Sequence, residues 1–271
     1  MKRRHWRGVF VGVCLGAFLF GACGNGDREQ QPIVPSAEMK TAIATTADVL
    51  LVSRLATELS STGTNDDTRD LRDLSCPEIS RQTGTVTLDY ATGCVPESGL
   101  VGGEISGTAT FARDLTAHTL SGAFEELTYT GENGDISIDG ALAASCEIQS
   151  GQLIIHQESD MILNAGATTL GIDQGVAISL SPGTLAIDGN AHYALSETTY
   201  TLDLDTLVWN RADLTTAVCP LPSSGNLSVI WENIVVLITF DQSSPQSGIA
   251  YVIGPLKEGY VDVCAHFENY L

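Results

Sequence analysis

The spacing of apolar residues divides the chain into a short helical part and a long β part. Residues 37–60 contain no Gly or Pro, and apolar side chains recur there at near-helical spacing, at Met39, Ile43, Leu50, Leu51, Leu55 and Leu59. Ser36 precedes this stretch as a candidate N-cap, and Glu38 stands in the first turn. A cap followed by an apolar residue every three to four positions is typical of an α-helix. The pattern predicts one helical segment over 36–60 and a polar linker over 61–75.

After Cys76 the period of the pattern shortens to two. Short runs rich in Val, Ile, Thr, Leu and Tyr alternate with polar residues between turn-forming residues, as antiparallel strands do. The runs are Thr85–Tyr90, Glu104–Phe111, Phe124–Thr130, Asp135–Asp139, Thr184–Asp188, Tyr200–Val208, Asn226–Trp231, Ile234–Phe240, Ile249–Ile253 and Tyr260–Cys264. Asn133-Gly134 favours a tight hairpin. We therefore expect an all-β domain over 76–271, a hairpin-connected sheet, sandwich or open barrel, as one unit or two similar halves.

A six-residue pattern recurs within the β part. Gly-x-apolar-x-apolar-Asp stands at 84–89, 134–139 and 183–188, at intervals of 50 and then 49 residues. Such a period indicates a decayed repeat of hairpin units. A second interpretation is that Gly begins and Asp ends many strands, and the sequence alone leaves both open.

The first 22 residues have the features of an export signal. Lys2, Arg3, Arg4 and Arg7 precede an apolar run from Gly8 to Ala22, which is shorter than the roughly 20 apolar residues of a membrane-spanning helix. Phe20, Gly21 and Ala22 then lead into Cys23. An ordinary cleaved signal peptide would have the same basic and apolar regions.

The segment Phe20-Gly21-Ala22-Cys23 resembles the lipobox of bacterial lipoproteins, although Phe stands where Leu is commonest. The resemblance implies cleavage before Cys23, acylation of that residue, and a flexible tether over 23–35. Two or three acyl chains hold a protein stably on a membrane, whereas a single one does not. Gly24 rather than Asp after the cysteine favours the outer membrane of a Gram-negative host.

Cleavage makes the remaining chain strongly acidic. It removes four of the 13 Lys and Arg residues and none of the 33 Asp and Glu residues, so 249 residues with 9 basic and 33 acidic side chains remain. Nucleic acid is excluded as a partner, because phosphate binding needs clustered Lys and Arg. The two remaining lysines, Lys40 and Lys257, are far apart in the sequence. We expect anionic lipid to repel the body of the protein.

Five cysteines remain beyond Cys23, and export makes disulfides plausible for them. Because five is odd, at least one stays unpaired or pairs between chains. Cys76 and Cys94 flank the first strand run and are the first choice for a bridge, Cys219 with Cys264 is the second, and Cys146 is then the spare. No CxxC motif or closely spaced histidine pair favours a metal or redox role.

The cysteine-framed segments also carry a second resemblance. Cys76-Pro77 to Cys94, followed by Gly107-Thr108-Ala109-Thr110-Phe111, resembles cysteine-framed β modules of uncharacterised exported bacterial proteins, and Cys219-Pro220 resembles its opening. It implies a β fold and export, and no activity.

No catalytic motif is recognisable, so we expect no enzymatic activity and no cofactor. Three weaker candidates remain. Asp66, Asp67, Asp70 and Asp73 share one loop with Arg69 and Arg72, which favours solvation over Ca²⁺ binding. Asp203 and Asp205 are two positions apart on one strand, so both carboxylates lie on the same face. They fit either the catalytic pair of a glycosidase or a solvent-exposed face of the strand. Aromatic residues are concentrated in the C-terminal half, where they either belong to the core or line a groove for a sugar or an apolar ligand. They are Tyr193, Tyr200, Trp209, Trp231, Phe240 and Tyr251.

These observations give three expected functions. The first is a lipid-anchored envelope protein with a structural or binding role, whose partner is the membrane through its lipid and an unidentified envelope protein, glycan or apolar ligand. The second is a carrier of lipid or another apolar ligand, with the helix as a lid on a curved sheet. The third is a carbohydrate-active hydrolase.

Overall fold

The computed structural model describes residues 32–64, 76–96, 103–131, 134–150, 152–166, 168–210, 212–213 and 221–267. These residues belong to one compact unit, Pro32–Leu271. The described part contains a long helix, fourteen strands and two four-residue helices.

The long helix α1 spans Ala37–Thr64, and the short helices α2 and α3 span Ser244–Ser247 and Cys264–Phe267. The strands in chain order are β1 (Glu78–Gln82), β2 (Thr85–Asp89), β3 (Glu104–Ser106), β4 (Thr108–Asp114), β5 (Thr119–Gly131), β6 (Gly134–Gln149), β7 (Gln152–Ala165), β8 (Thr168–Leu180), β9 (Thr184–Leu195), β10 (Thr198–Asn210), β11 (Ser224–Trp231), β12 (Ile234–Phe240), β13 (Ile249–Ile253) and β14 (Glu258–Asp262).

All fourteen strands belong to one antiparallel sheet. Its order follows the chain from β1 to β14, except that β3 pairs with β5 while β4 lies between β2 and β5. The prediction of a hairpin-connected β domain after one N-terminal helix is therefore confirmed, in the form of an open sheet. Every predicted run lies mainly on a strand, and β5 and β6 form a hairpin with Gly131 opposite Gly134.

The structure adds elements that the pattern did not indicate. α1 continues to Thr64, into the predicted linker. The run Glu104–Phe111 is split at Gly107, whose φ of 99° is accessible to glycine without steric cost. Strands β1, β7 and β8 were not among the predicted runs, although β7 and β8 are among the longest in the sheet.

The apolar face of the sheet surrounds α1. Strands as distant in the sheet as β2 and β12 both contact the helix. From Ala42 to Gly63 almost every α1 side chain is buried, on all sides of the helix. Glycine allows a close approach of neighbouring strands at Gly140, where an added Cβ would lie 2.6 Å from the carbonyl oxygen of Asp160.

The recurring Gly-x-apolar-x-apolar-Asp pattern has a common structural role at its last position. Asp89 accepts a hydrogen bond from the backbone N–H of Ala91 (2.8 Å), Asp139 from Glu126 (2.7 Å) and Asp188 from Thr206 (3.1 Å). All three donors have a left-handed φ, of 50°, 59° and 47° in that order. Glu126 and Thr206 lie in β-bulges of β5 and β10. The aspartates therefore stabilise left-handed backbone at one turn and two bulges, which gives the last position of the pattern a common structural role.

Candidate functional site

The predicted lipidation site lies outside the described residues. Cys23 precedes Pro32, where the described chain begins, by nine residues. Acylation at Cys23 therefore stays a prediction. In the part of the chain that the structure describes, no helix is both long and apolar enough to span a membrane.

The first predicted disulfide is present. Cys76 and Cys94 are bonded, with their Cα atoms 5.9 Å apart. Cys94 also forms a β-bridge with Ile105, so the disulfide joins Cys76, two residues before β1, to the segment that pairs with β3. Cys219 lies outside the described residues, so its pairing with Cys264 stays a prediction. Cys146 lies on β6, partly buried, opposite Ile155.

The structure distributes the other candidates over the surface. Asp203 and Asp205 share the outer face of β10, and Asp205 accepts a hydrogen bond from Asn226 (3.4 Å). His156 is 3.5 Å from Glu147, while His118 and His192 are exposed elsewhere. The described residues contain no group of three His, Cys, Asp or Glu side chains arranged to hold a metal ion. The aspartates of the predicted loop, Asp66, Asp67, Asp70 and Asp73, lie outside the described residues, as does the side chain of His266.

Most of the C-terminal aromatic residues belong to the core. Trp209 and Phe240 are buried, and Tyr200 packs against both Tyr193 and Trp231, with ring centres 5.5 and 5.4 Å away. Tyr251 differs, because it is partly exposed on the outer face of β13. The interpretation of this group as core is confirmed for all but Tyr251.

A polar interface between α1 and the sheet was not predicted. Asp48 is buried on α1 and accepts a hydrogen bond from the Tyr193 hydroxyl on β9 (2.6 Å). Burial raises the pKa of Asp48 to about 7, against the opposing effect of the Tyr193 hydrogen bond. A carboxyl group with such a pKa changes its charge near neutral pH.

Two glutamines continue this interface along β8 and β7. The Ser53 hydroxyl lies 2.7 Å from Gln174 Oε1, and the Ser60 hydroxyl lies 2.9 Å from Gln157 Oε1. Ser159, which is directly opposite Gln174 in the sheet, is buried between them. The Nε2 atoms of both glutamines and the Ser159 hydroxyl are buried without a hydrogen-bond partner. Each such group costs about 1–3 kcal/mol, so this contact is less stable than an apolar one of equal area.

Opposite charges are also buried on α1. Arg54 and Glu58 are four residues apart, which places them on the same side of the helix. Burial lowers the pKa of Arg54 to about 10, while the Thr62 hydroxyl donates to Glu58 at 3.0 Å. Tyr90 is buried, and the desolvation of its hydroxyl, helped by the charge of Glu58, raises its pKa.

The sequence holds a signal for this interface that the helix pattern overlooks. Polar residues occur at all phases of the helix between Thr45 and Thr62, so no face of it is free of them. An amphipathic helix on a protein surface separates its polar and apolar faces. A helix with polar and apolar residues mixed around its axis is instead expected to be enclosed on all sides, by polar as well as apolar groups.

Comparison with known proteins adds no family to this description. A scan against protein-family models, a search of curated proteins and a search of solved structures each find no match to the chain.

Proposed function

We propose that the protein is a lipid-anchored protein of the cell envelope with a structural or binding role, and that its outer surface carries this role. The observation that carries the proposal is the position of α1. The helix fills the apolar side of the sheet, where a carrier would hold its ligand, and its side chains are buried on all sides. The outer face of the sheet remains for contact with other molecules.

The anchor rests on the sequence before the described part. A basic segment, a 15-residue apolar run and small residues before Cys23 precede a polar tether with Pro32 and Pro35. The chain then enters the folded unit directly, since Ile33 already donates a backbone hydrogen bond to Tyr260 on β14 (2.8 Å). A folded domain a few residues after an acylated cysteine suits a protein held at the membrane surface, and Gly24 favours the outer membrane.

Metabolic labelling with palmitate tests the anchor. We expect the wild-type protein to incorporate label and to fractionate with the outer membrane, and Cys23→Ala to lose both properties. Cys14→Ala is the matched control, because Cys14 lies in the same export signal. Labelling that persists in Cys23→Ala, or is lost equally in Cys14→Ala, would overturn the proposal.

A carrier of lipid or another apolar ligand is the second candidate. The unpartnered polar atoms of Gln157, Ser159 and Gln174 favour it, because an imperfect contact helps a helix to leave the sheet. Native mass spectrometry of the protein purified from membranes separates the two candidates. The carrier hypothesis expects a bound lipid mass beyond the covalent acyl chains, and the leading proposal expects none.

We rank a carbohydrate-active hydrolase third. Such enzymes hold two carboxyl groups on opposite sides of the bond that they cleave. Asp203 and Asp205 instead lie side by side on the outer face of one strand. Hydrolysis of a polysaccharide that is lost in Asp203→Asn and retained in Asp160→Asn would raise its rank.

A further inference from the structure

Exposed apolar side chains concentrate at one edge of the sheet. Of the eight large apolar side chains that are exposed among the described residues, four lie on β12 and β13 or beside them: Val34, Val235, Ile253 and Leu256. Leu256 is 90% exposed, at the turn between β13 and β14, and Val34 is 76% exposed, just before α1. Clustered apolar surface of this kind marks contact with a protein or a membrane.

Register and hydrogen bonds connect these residues. Tyr251 on β13 is opposite Tyr260 on β14, with ring centres 5.2 Å apart. Lys257 Nζ donates to the carbonyl oxygen of Val34 (2.7 Å), which brings the segment before α1 next to the β13–β14 turn. We name this surface the edge patch, defined as Val34, Val235, Tyr251, Ile253, Leu256 and Tyr260.

The charge around the edge patch differs from that of the whole protein. Lys40 and Lys257 are the only lysines after residue 22, and the fold brings them to the same end. Lys40 follows Met39, whose Cγ would lie 3.1 Å from a Cβ added at Gly254 in the β13–β14 turn. Glu38, Glu232 and Glu258 lie at the same end as the two lysines, so the excess of acidic side chains is smaller here than over the strongly acidic chain as a whole.

The predicted tether also ends at the edge patch. Ile33 binds Tyr260 through its backbone, and only nine residues separate Cys23 from Pro32. Even a fully extended chain of that length reaches only about 30 Å. An acylated Cys23 would therefore hold the edge patch within about 30 Å of the bilayer surface.

We propose that the edge patch lies against the lipid bilayer that holds the anchor, with Leu256 and Val34 inserted among the headgroups. This inference rests on the proposed lipid anchor and adds a second, non-covalent contact to it. Tyrosines at the headgroup level and lysines directed toward anionic lipid are typical of proteins that lie on a membrane surface.

Vesicle co-sedimentation of the chain from residue 23, carrying Cys23→Ser, tests the inference without acyl chains. The vesicles contain phosphatidylethanolamine and phosphatidylglycerol at 3:1. We expect this protein to partition weakly, and Val34→Ser with Leu256→Ser to lower the partition coefficient by about tenfold, since two apolar side chains are lost from the contact. The matched control is Leu115→Ser with Ile148→Ser, which replaces two side chains that are 59% and 78% exposed outside the patch. The control should bind as the parent does.

The outcomes are distinguishable from failure of the anchor itself. No partitioning of the parent, or equal losses in both double variants, overturns the inference while palmitate labelling still supports Cys23. Sedimentation velocity that shows a dimer of the parent, lost only in Val34→Ser/Leu256→Ser, also overturns it and assigns the patch to a second copy of the chain. Equal thermal stability of all three proteins excludes misfolding as the cause.

Discussion

The inner face of the sheet meets α1 in two different ways. At β7 and β8 the contact includes Gln157, Ser159 and Gln174, three polar side chains with unpartnered atoms. At β11 and β12 the same face is apolar, with Leu227, Val229, Trp231, Val236, Ile238 and Phe240 all buried. The two regions share one sheet and one helix, so the difference lies in side-chain chemistry rather than topology.

The comparison separates what stabilises the fold from what specifies it. Burial of apolar side chains at β11–β12 contributes stability in proportion to area, and has no preferred partner. The hydrogen bonds at β7–β9 contribute less free energy. They form only when α1 has one rotation about its axis and one position along it. We infer that β11–β12 stabilise the helix in the sheet and that β7–β9 fix its register.

The largest expected effect tests the buried charges of α1. Arg54→Met should lower the free energy of unfolding by about 3–5 kcal/mol, because it removes the buried cation that lies on the same side of α1 as the buried Glu58 carboxylate. The double variant Arg54→Met/Glu58→Met should be more stable than Arg54→Met. Urea denaturation measures the free energy of unfolding of the wild type and of both variants. A double variant less stable than Arg54→Met would show that the two charges do not compensate each other.

The next effect concerns the apolar region. Ile238→Ala should lower the free energy of unfolding by about 2–5 kcal/mol, since it leaves a cavity in a tightly packed face. Chemical denaturation followed by tryptophan fluorescence measures the loss. A loss below about 1 kcal/mol would place the stabilising contact elsewhere and remove the contrast with β7–β8.

A third effect, of comparable total size but spread over several pH units, appears as a pH dependence. Burial raises the pKa of Asp48 from 3.8 to about 7, so between these values the folded protein keeps a proton that the unfolded chain has released. The free energy of unfolding should therefore fall as pH rises through this window, by up to about 1.4 kcal/mol per pH unit, and become flat above it. Asp48→Asn keeps an acceptor for Tyr193 and should lack this slope. Identical slopes in both proteins would contradict the raised pKa.

The smallest effect is expected at Gln174. Gln174→Met removes one hydrogen bond with Ser53, whose hydroxyl still has the carbonyl oxygen of Val49 at 2.8 Å. It also removes a buried nitrogen without a partner, so the free energy of unfolding should stay within about 1 kcal/mol of the wild type. Gln174 and Ile238 are both fully buried on the inner face. Equal losses at the two positions would erase the difference between the two regions.

The same difference explains which parts of the fold the sequence predicted. β11 and β12 were both predicted, because their buried inner positions are all apolar and the two runs are rich in Val, Ile and Leu. β7 and β8 were missed because Gln157, Ser159 and Gln174 occupy inner positions and interrupt the alternation. The polar interface could not be predicted for a related reason, since its hydrogen bonds join α1 to strands more than 90 residues away.

Local chemistry was more accessible to sequence reasoning. The Cys76–Cys94 disulfide closes a short loop around one hairpin, and its position followed from neighbouring turns. The location of Lys40 and Lys257 at one end of the fold did not follow, because they are 217 positions apart in the sequence and contacts of the segment before α1 with β14 and the β13–β14 turn bring them there. Contacts between chain ends depend on the complete fold.

Amide hydrogen exchange of α1 tests the central claim, that the helix is a permanent part of the interior, most directly. We predict that the amides of Ala42 to Ser60 exchange as slowly as those of β11 and β12, because helix and sheet unfold together. Exchange of α1 faster by two orders of magnitude or more, while β11 and β12 stay protected, would contradict the account. It would show a helix that leaves the sheet, as a ligand carrier requires.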